Sequence, residues 1–174
     1  MCVLLTLYSF SQITIEPIRA DVTGNAIVDL ITHTDSSIIM ILDNKKYNIL
    51  FENLGFEHLS ALSFKNNVLA IAGGNDGTGA YSWSYKFRRN VKTQKLELIG
   101  FDSFSKWVSG NITKSINLLT GQYEILLESY NHKKDAMDIS KYTGKSAFKK
   151  VVLTEITAGS FDKLNEVGKQ YTPQ

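Results

Sequence analysis

Residues 73–79 form the segment whose composition is best suited to binding a ligand. Its four glycines would let the backbone approach a ligand closely, and Asn75, Asp76 and Thr78 supply oxygen atoms of the kind that calcium prefers. The segment lacks the acid spacing of an EF-hand, and it leads into a predicted strand, whereas a phosphate-binding loop opens a helix. A flexible connection between two strands is therefore the alternative interpretation.

Four aromatic residues could form a contact surface for a carbohydrate or a peptide: Tyr81, Trp83, Tyr85 and Trp107. Aromatic rings offer large apolar faces, so these residues would bind a ligand if their faces were open to water. An aromatic row with strand spacing is also typical of a hydrophobic core. The sequence leaves both interpretations open.

Acidic residues on neighbouring predicted strands could act as a general acid and base across a cleft. They are Glu97, Asp102, Glu124 and Glu128. Asp102 ends its predicted strand, and we include it among the candidate ligand-binding residues. The other three occupy positions where an ordinary solvent-facing residue is expected.

No other pattern indicates catalysis, a metal or a cofactor. The three histidines, His33, His58 and His132, lack the paired spacing of a metal site, and Cys2 is the only cysteine. The nucleophile elbow Gly-x-Ser-x-Gly is absent, and residues 143–146 imitate the end of a phosphate-binding loop without its first glycine. We therefore expect no catalytic residue, no metal and no cofactor.

Length and charge limit the classes of partner. The chain has 174 residues and a net charge of +2, with 43% apolar and 21% charged residues, which fits one domain with its own core. So balanced a charge does not indicate a nucleic-acid partner, and no apolar run is long enough for a membrane-spanning helix. The lysine-rich residues 131–150 predict a solvated basic loop, with contact to an acidic partner as the alternative.

The start of the chain predicts export. Residues 2–10 are apolar, and Ser9 and Ser11 occupy the small-residue positions that precede a signal-peptidase cleavage site. This pattern predicts a truncated signal peptide over residues 1–11 and a single β-rich domain over residues 12–174, placed in the periplasm or secreted. Because the basic residues that open a signal peptide are absent, a buried first β-strand is the alternative.

The candidate residues fall mainly on predicted β-strands or next to them. Tyr81, Trp83, Tyr85 and Phe87 alternate with polar residues, which predicts a half-buried strand with its rings on one face. Similar segments along the chain predict an antiparallel meander of about nine to eleven strands, arranged as a sandwich or propeller-like sheets. A short helix is expected after Ser160, so the fold class is all-β or mainly β.

Local signals predict turns and irregularities within this pattern. Residues 66–67 are both asparagine, which tolerates positive φ and indicates a tight hairpin. The apolar phase shifts at Gly100, which indicates a β-bulge. Gly55 limits the preceding apolar residues to a loop or one helical turn, and residues 151–156 predict a last strand.

Three segments resemble a group of uncharacterised exported bacterial proteins of Bacteroidetes type. They are Tyr-Lys-Phe-Arg at 85–88, Leu-Glu-Leu-Ile-Gly-Phe-Asp at 96–102 and Ser-Ile-Asn-Leu-Leu-Thr-Gly at 115–121. They are similar to that group's Phe-Arg strand, its Leu-Ile-Gly-aromatic-acid segment and its Asn-x-Leu-Thr-Gly segment. The resemblance covers roughly residues 60–125 and implies export and a β-rich fold, but it carries no reaction.

These observations favour a non-catalytic envelope or secreted binding module. The partner stays open between a protein and an envelope glycan. One alternative is an immunity or inhibitor protein that blocks a toxin or hydrolase through the charged residues 133–150. A second alternative is a small hydrolase that uses an acid pair near Asp102.

Overall fold

Two antiparallel sheets make up the fold, and in each of them every strand pairs with its neighbours along the chain. The computed structural model describes residues 14–77 and 79–171, so the predicted signal peptide over residues 1–11 lies outside the described residues. The first sheet contains β1 Ile18–Ala20, β2 Asp29–His33, β3 Ser37–Leu42 and β4 Lys45–Leu50. The second contains β5 His58–Lys65, β6 Val68–Asn75, β7 Tyr81–Arg89, β8 Leu96–Trp107, β9 Gly110–Asn117, β10 Gln122–Asn131 and β11 Ala136–Lys145. The predicted all-β class is confirmed.

One hydrophobic core joins the two sheets. The first sheet contributes Ile31, Ile38 and Met40, all fully buried. The second sheet and the C-terminal segment contribute the remaining large side chains, among them Leu69, Ile71, Tyr85, Phe87, Phe101, Ile116, Leu153 and Phe161. Because both sheets bury residues in the same cluster, neither sheet has a separate core.

The aromatic row of β7 lies on the inner face of the second sheet, as its alternation predicts. Tyr85 and Phe87 are fully buried, whereas the intervening Lys86 is partly exposed. The Tyr85 ring lies 5.3 Å from that of Phe101 and 4.2 Å from that of Phe161, and its hydroxyl donates to the Leu54 carbonyl at 2.9 Å. The buried phenol therefore has both packing and a hydrogen-bond acceptor.

Three local predictions are confirmed. Asn66 and Asn67 both have positive φ, 52° and 59°, and join β5 to β6 in a tight hairpin. Lys86 pairs with Gly100 while Phe87 pairs with Leu98, which leaves one extra residue on β8 as a bulge. The single helical turn α1, Phe51–Leu54, ends at Gly55 with a φ of 71°.

The lysine-rich residues 131–150 do not form the predicted basic loop. Residues 136–145 form strand β11, which pairs with β10 over ten consecutive residues at the edge of the sheet. Met137 and Ile139 are exposed, so the strand has no buried face to create an apolar alternation. Backbone pairing with β10 and the stacking of Tyr142 on Tyr171, with ring centroids 3.9 Å apart, hold this strand in place.

Two other predictions need correction. Gly73 and Gly74 belong to β6, and a Cβ on Gly74 would lie 2.0 Å from the Tyr81 carbonyl oxygen of the neighbouring strand. These glycines therefore permit close strand pairing, and the connection is shorter than residues 73–79. Residues 151–156 form no strand, because after a single bridge from Val152 to Glu97 they turn into a 3₁₀ helix, Leu153–Glu155.

The predicted terminal helix is present as α2, Asp162–Glu166. Its residue Leu164 is buried, and Phe161 immediately before it packs in the core. The helix therefore covers part of the inner face of the second sheet. Ser160 does not cap α2, because its hydroxyl oxygen accepts the backbone N–H of Thr157 at 2.9 Å.

Candidate functional site

The core does not cover the whole inner face of the second sheet. Trp83 lies on the same face of β7 as Tyr85 but remains partly exposed. Its ring packs on the helix-ending Gly55, where an added Cβ would lie only 1.7 Å from the indole. The Tyr81 ring follows at 5.2 Å from the ring of Trp83. The aromatic row thus begins in the core and continues out of it.

A pocket of about 270 Å³ opens where the aromatic row of β7 leaves the core, and we call it the tryptophan pocket. Trp83 and Trp107 both line it, with the hydroxyls of Ser103 and Ser105 between them. On β8 these two serines occupy the inward positions between Phe101 and Trp107. Because serine side chains are small, they leave the space of this pocket unfilled between the two tryptophans.

Trp107 is held by a glycine on the neighbouring strand. It pairs with Gly110 of β9, and a Cβ at that position would lie 2.9 Å from Cζ2 of the indole and 2.1 Å from the Glu128 carbonyl oxygen. Trp107 lies four positions after Ser103, the register partner of Trp83, so about 13 Å of strand lies between the two tryptophan positions.

A buried lysine forms part of the same pocket. Lys114 on β9 pairs with Ser103, and only 8% of its surface is exposed. Its Nζ donates to the carbonyl oxygens of Leu164 and Asn165, both at 3.1 Å, at the C-terminal end of α2. Helix carbonyls that lack intrahelical partners are good acceptors for a cation. Lys114 therefore ties the C-terminal segment to the sheet.

The Lys114 ammonium has no carboxylate partner among residues 14–77 and 79–171. Burial, and to a smaller extent the charge of Lys169, lower its pKa to about 8, although Glu166 acts in the opposite direction. At pH 7 the amine is still mainly protonated. The pocket thus has a positive charge on one wall, two indole rings and two hydroxyls, and none of the acidic residues that the structure describes lines it.

The structure separates the other candidate residues from this pocket. Asn75 accepts the backbone N–H of Tyr81 at 2.8 Å through Oδ1, which holds the start of β7. The Asp76 side chain is 94% exposed and lies 3.8 Å from His58. Thr78 lies outside the described residues. Among the candidate ligand-binding residues that the structure describes, only Trp83 and Trp107 line a common pocket.

Asp102 does not end its strand as predicted, because β8 continues to Trp107, and its side chain lies on the opposite face of the sheet. Its Oδ2 accepts a hydrogen bond from Lys86 Nζ at 2.5 Å, and its Oδ1 accepts one from the Ser115 hydroxyl at 2.7 Å. Both carboxylate oxygens are therefore engaged by the neighbouring strands. This arrangement stabilises the pairing of β7, β8 and β9 on the outer face.

The other three acids of the predicted strands are also engaged by neighbouring side chains. Glu124 lies 2.7 Å from Lys141, and Glu128 accepts from the Asn111 amide at 2.8 Å. Glu97 is nearly buried; hydrogen bonds from Asn90, Thr93 and Lys150 lower its pKa, against the effect of desolvation. Residues 14–77 and 79–171 contain no group of three or more His, Cys, Asp or Glu side chains placed to hold a metal ion.

Lys114, Ser103 and Ser105 were not among the candidates from the sequence. The two serines do leave a signal, because they interrupt a row that otherwise continues from Phe101 to Trp107 at every second position. Lys114 also leaves a signal, because it falls on the face of β9 that Ile112 and Ile116 share. Its burial, however, depends on α2, which is fifty residues further along the chain.

Comparison of the chain with protein-family models, curated proteins and solved structures finds no match. Within the part of the chain that the structure describes, no helix is long and apolar enough to cross a membrane.

Proposed function

We propose that this protein is a non-catalytic binding module of the bacterial envelope or of the secreted proteins, and that the tryptophan pocket holds part of an envelope glycan. The observation that carries the proposal is that both tryptophans of the chain line one pocket, together with two serines. Ligand pockets typically combine apolar walls with a few polar groups that orient the ligand. Indole faces suit the C–H faces of a sugar ring, and the hydroxyls suit its oxygens.

The positive wall of the pocket favours an acidic sugar over a neutral one. Lys114 has no carboxylate partner among the described residues, and buried charges are normally paired. A sugar carboxylate in the pocket would supply the missing negative charge. We therefore expect uronic acids and similar acidic sugars to bind more tightly than their neutral counterparts.

Binding without catalysis is supported by the positions of the carboxylates. A general acid needs a raised pKa, whereas the pKa of Glu97 is lowered by its hydrogen bonds. Asp102 is occupied by Lys86 and Ser115 on the face opposite the pocket. The small-hydrolase alternative would need two acids that converge on one ligand, so these contacts give it little support.

The inhibitor alternative draws on the lysine-rich residues 131–150. Three of their lysines already have acidic partners, since Lys134 lies 2.8 Å from Asp138, Lys141 lies 2.7 Å from Glu124 and Lys150 lies 3.3 Å from Glu97. The positive charge left for an acidic protein partner is correspondingly smaller. We therefore favour the glycan-binding proposal.

Intrinsic fluorescence tests the glycan proposal, because both tryptophans of the chain line the pocket. Oligosaccharides released from bacterial envelopes are titrated into the protein, and binding is measured by fluorescence and calorimetry. Trp107→Ala is expected to weaken binding by about tenfold or more, equivalent to ~1.4 kcal/mol. Tyr130→Ala, which removes an exposed ring on the β10 to β11 hairpin, is the control and is expected to bind normally. Equal binding by both variants would contradict the proposal.

Export rests on the pattern of residues 1–11 and on the resemblance to exported bacterial proteins. Expression of the full reading frame in a Bacteroidetes-type host, followed by cell fractionation and mass measurement, tests this part separately. We expect a mature protein in the periplasm or medium that begins at Gln12. Recovery of the uncleaved chain in the cytoplasm would contradict export and leave the binding proposal to its own test.

A further inference from the structure

A second and larger concavity, of about 780 Å³, lies at the other end of the β7 to β8 hairpin. Trp83, near the start of β7, belongs to the tryptophan pocket, whereas Arg88 and Arg89 at its end line this concavity. Six residues of strand, about 20 Å, separate Trp83 from Arg89. The two sites are therefore distinct. We call the larger one the basic cleft.

Four cations and two acids line the basic cleft. The cations are Arg88, Arg89, Lys92 and Lys150, and the acids are Asp21 and Glu97. Since each acid can neutralise one cation at most, the cleft keeps an excess of positive charge.

Both acids are already engaged. Glu97 Oε2 lies 3.3 Å from Lys150 Nζ and also accepts from the Asn90 amide, while its other oxygen accepts from the Thr93 hydroxyl. The Asp21 carboxylate accepts three backbone N–H groups of the loop that follows it. Partial desolvation tends to raise the pKa of Asp21, but those three hydrogen bonds and the nearby Arg89 outweigh it and lower the pKa.

Three of the cations form no close salt bridge in the part of the chain that the structure describes. Arg88, Arg89 and Lys92 make no ion pair within residues 14–77 and 79–171. Arg89 packs so closely on Gly24 that a Cβ there would lie 2.6 Å from Nη1, and its buried Nε has no hydrogen-bond partner in that part of the chain. A guanidinium held in this way has little freedom to turn towards another acid.

We propose that the basic cleft binds a phosphoryl group. Several unpaired cations in one concavity favour a dianion over a monoanion, and the planar guanidinium of arginine suits the oxygens of a phosphate. The apolar part of the ligand would lie against Val91 and Leu119, two cleft residues that are 77% and 61% exposed. The ligand class is therefore a phosphate monoester or a phospholipid headgroup with an apolar body.

Calorimetric titration at low salt tests this proposal with phenyl phosphate as the probe and phenylacetate as a monoanion of similar shape. A co-sedimentation arm uses vesicles that contain phosphatidic acid, compared with vesicles of neutral lipid, and separates a lipid headgroup from a soluble ester. The double variant Arg88→Gln/Lys92→Gln removes two unpaired cations. The double variant Lys106→Gln/Lys133→Gln removes the same charge at exposed positions outside the cleft.

We expect phenyl phosphate, phosphatidic acid vesicles or both to bind, with phenyl phosphate at least about tenfold tighter than phenylacetate. The cleft variant should lose about tenfold or more in affinity, and the control variant less than about twofold. Trp107→Ala should bind the phosphate probes normally, which separates this site from the tryptophan pocket. Absence of binding to both probes, equal affinity for phenylacetate, or equal losses in the two double variants would overturn the proposal.

Discussion

Replacement of the buried Lys114 by methionine should change how the stability of the protein depends on pH. The folded state lowers the pKa of this amine from the usual 10.5 to about 8. At neutral pH the charged amine therefore costs about 3 kcal/mol of folding free energy relative to the unfolded chain, as an upper value. Between pH 8 and 10.5 the unfolded state binds more protons than the folded state, so this cost disappears as the pH rises.

The variant Lys114→Met keeps the length of the side chain and removes its titration. The free energy of unfolding of the natural protein, minus that of the variant, should rise by about 2–3 kcal/mol between pH 7 and pH 10. Urea denaturation at unit pH steps, followed by tryptophan fluorescence, measures this difference and cancels the titration of other residues. Lys106→Met, at an exposed position of β8, should give a nearly constant difference. A constant difference for Lys114→Met as well would refute the assignment of a desolvated amine.

Three further substitutions test other parts of the structure. Asp29→Ala should destabilise the fold by about 3 kcal/mol in urea denaturation, because the buried carboxylate accepts three backbone N–H groups; a loss below about 1 kcal/mol would contradict this. Tyr85→Phe should cost about 1 kcal/mol through the lost hydrogen bond to Leu54, and an unchanged melting temperature would argue against that bond. Ser105→Leu should fill the pocket and abolish glycan binding while the melting temperature is kept, and normal binding by this variant would contradict the placement of the pocket.

The alternation of apolar and polar residues in β7 was sufficient to predict which side chains of this strand face the core. One face packs in the core and the other faces water, so burial repeats at every second residue. The bulge in β8 was also visible, since an extra residue moves the apolar side chains to the other phase. Tight turns at paired asparagines depend on local backbone preferences alone.

Strand β11 could not be predicted in the same way. Its residues Met137 and Ile139 are exposed at the edge of the sheet, and its backbone hydrogen bonds depend on the position of β10. The glycines at 73 and 74 are ambiguous for a related reason, because glycine marks both flexible loops and places where strands approach closely. Local sequence does not distinguish these cases.

The candidate pocket was predictable in part. The sequence placed Trp83 and Trp107 in one possible aromatic contact surface, and they do line one pocket. It did not place Trp107 on a strand, whereas β8 continues to that residue. It does not reveal where the core stops, because this depends on how far α2 and the residues after it extend over the sheet. The burial of Lys114 also depends on α2, because its Nζ donates to the carbonyl oxygens of Leu164 and Asn165 in that helix.

A two-dimensional NMR titration that follows the indole N–H signals measures directly whether the tryptophan pocket holds the glycan. The chain has two tryptophans, so two such signals are expected, and both belong to the pocket. When an acidic envelope oligosaccharide is added, we expect both signals to shift with the same midpoint as the heat of binding. Calorimetric binding that leaves both indole signals unchanged would contradict the claim that this pocket holds the ligand.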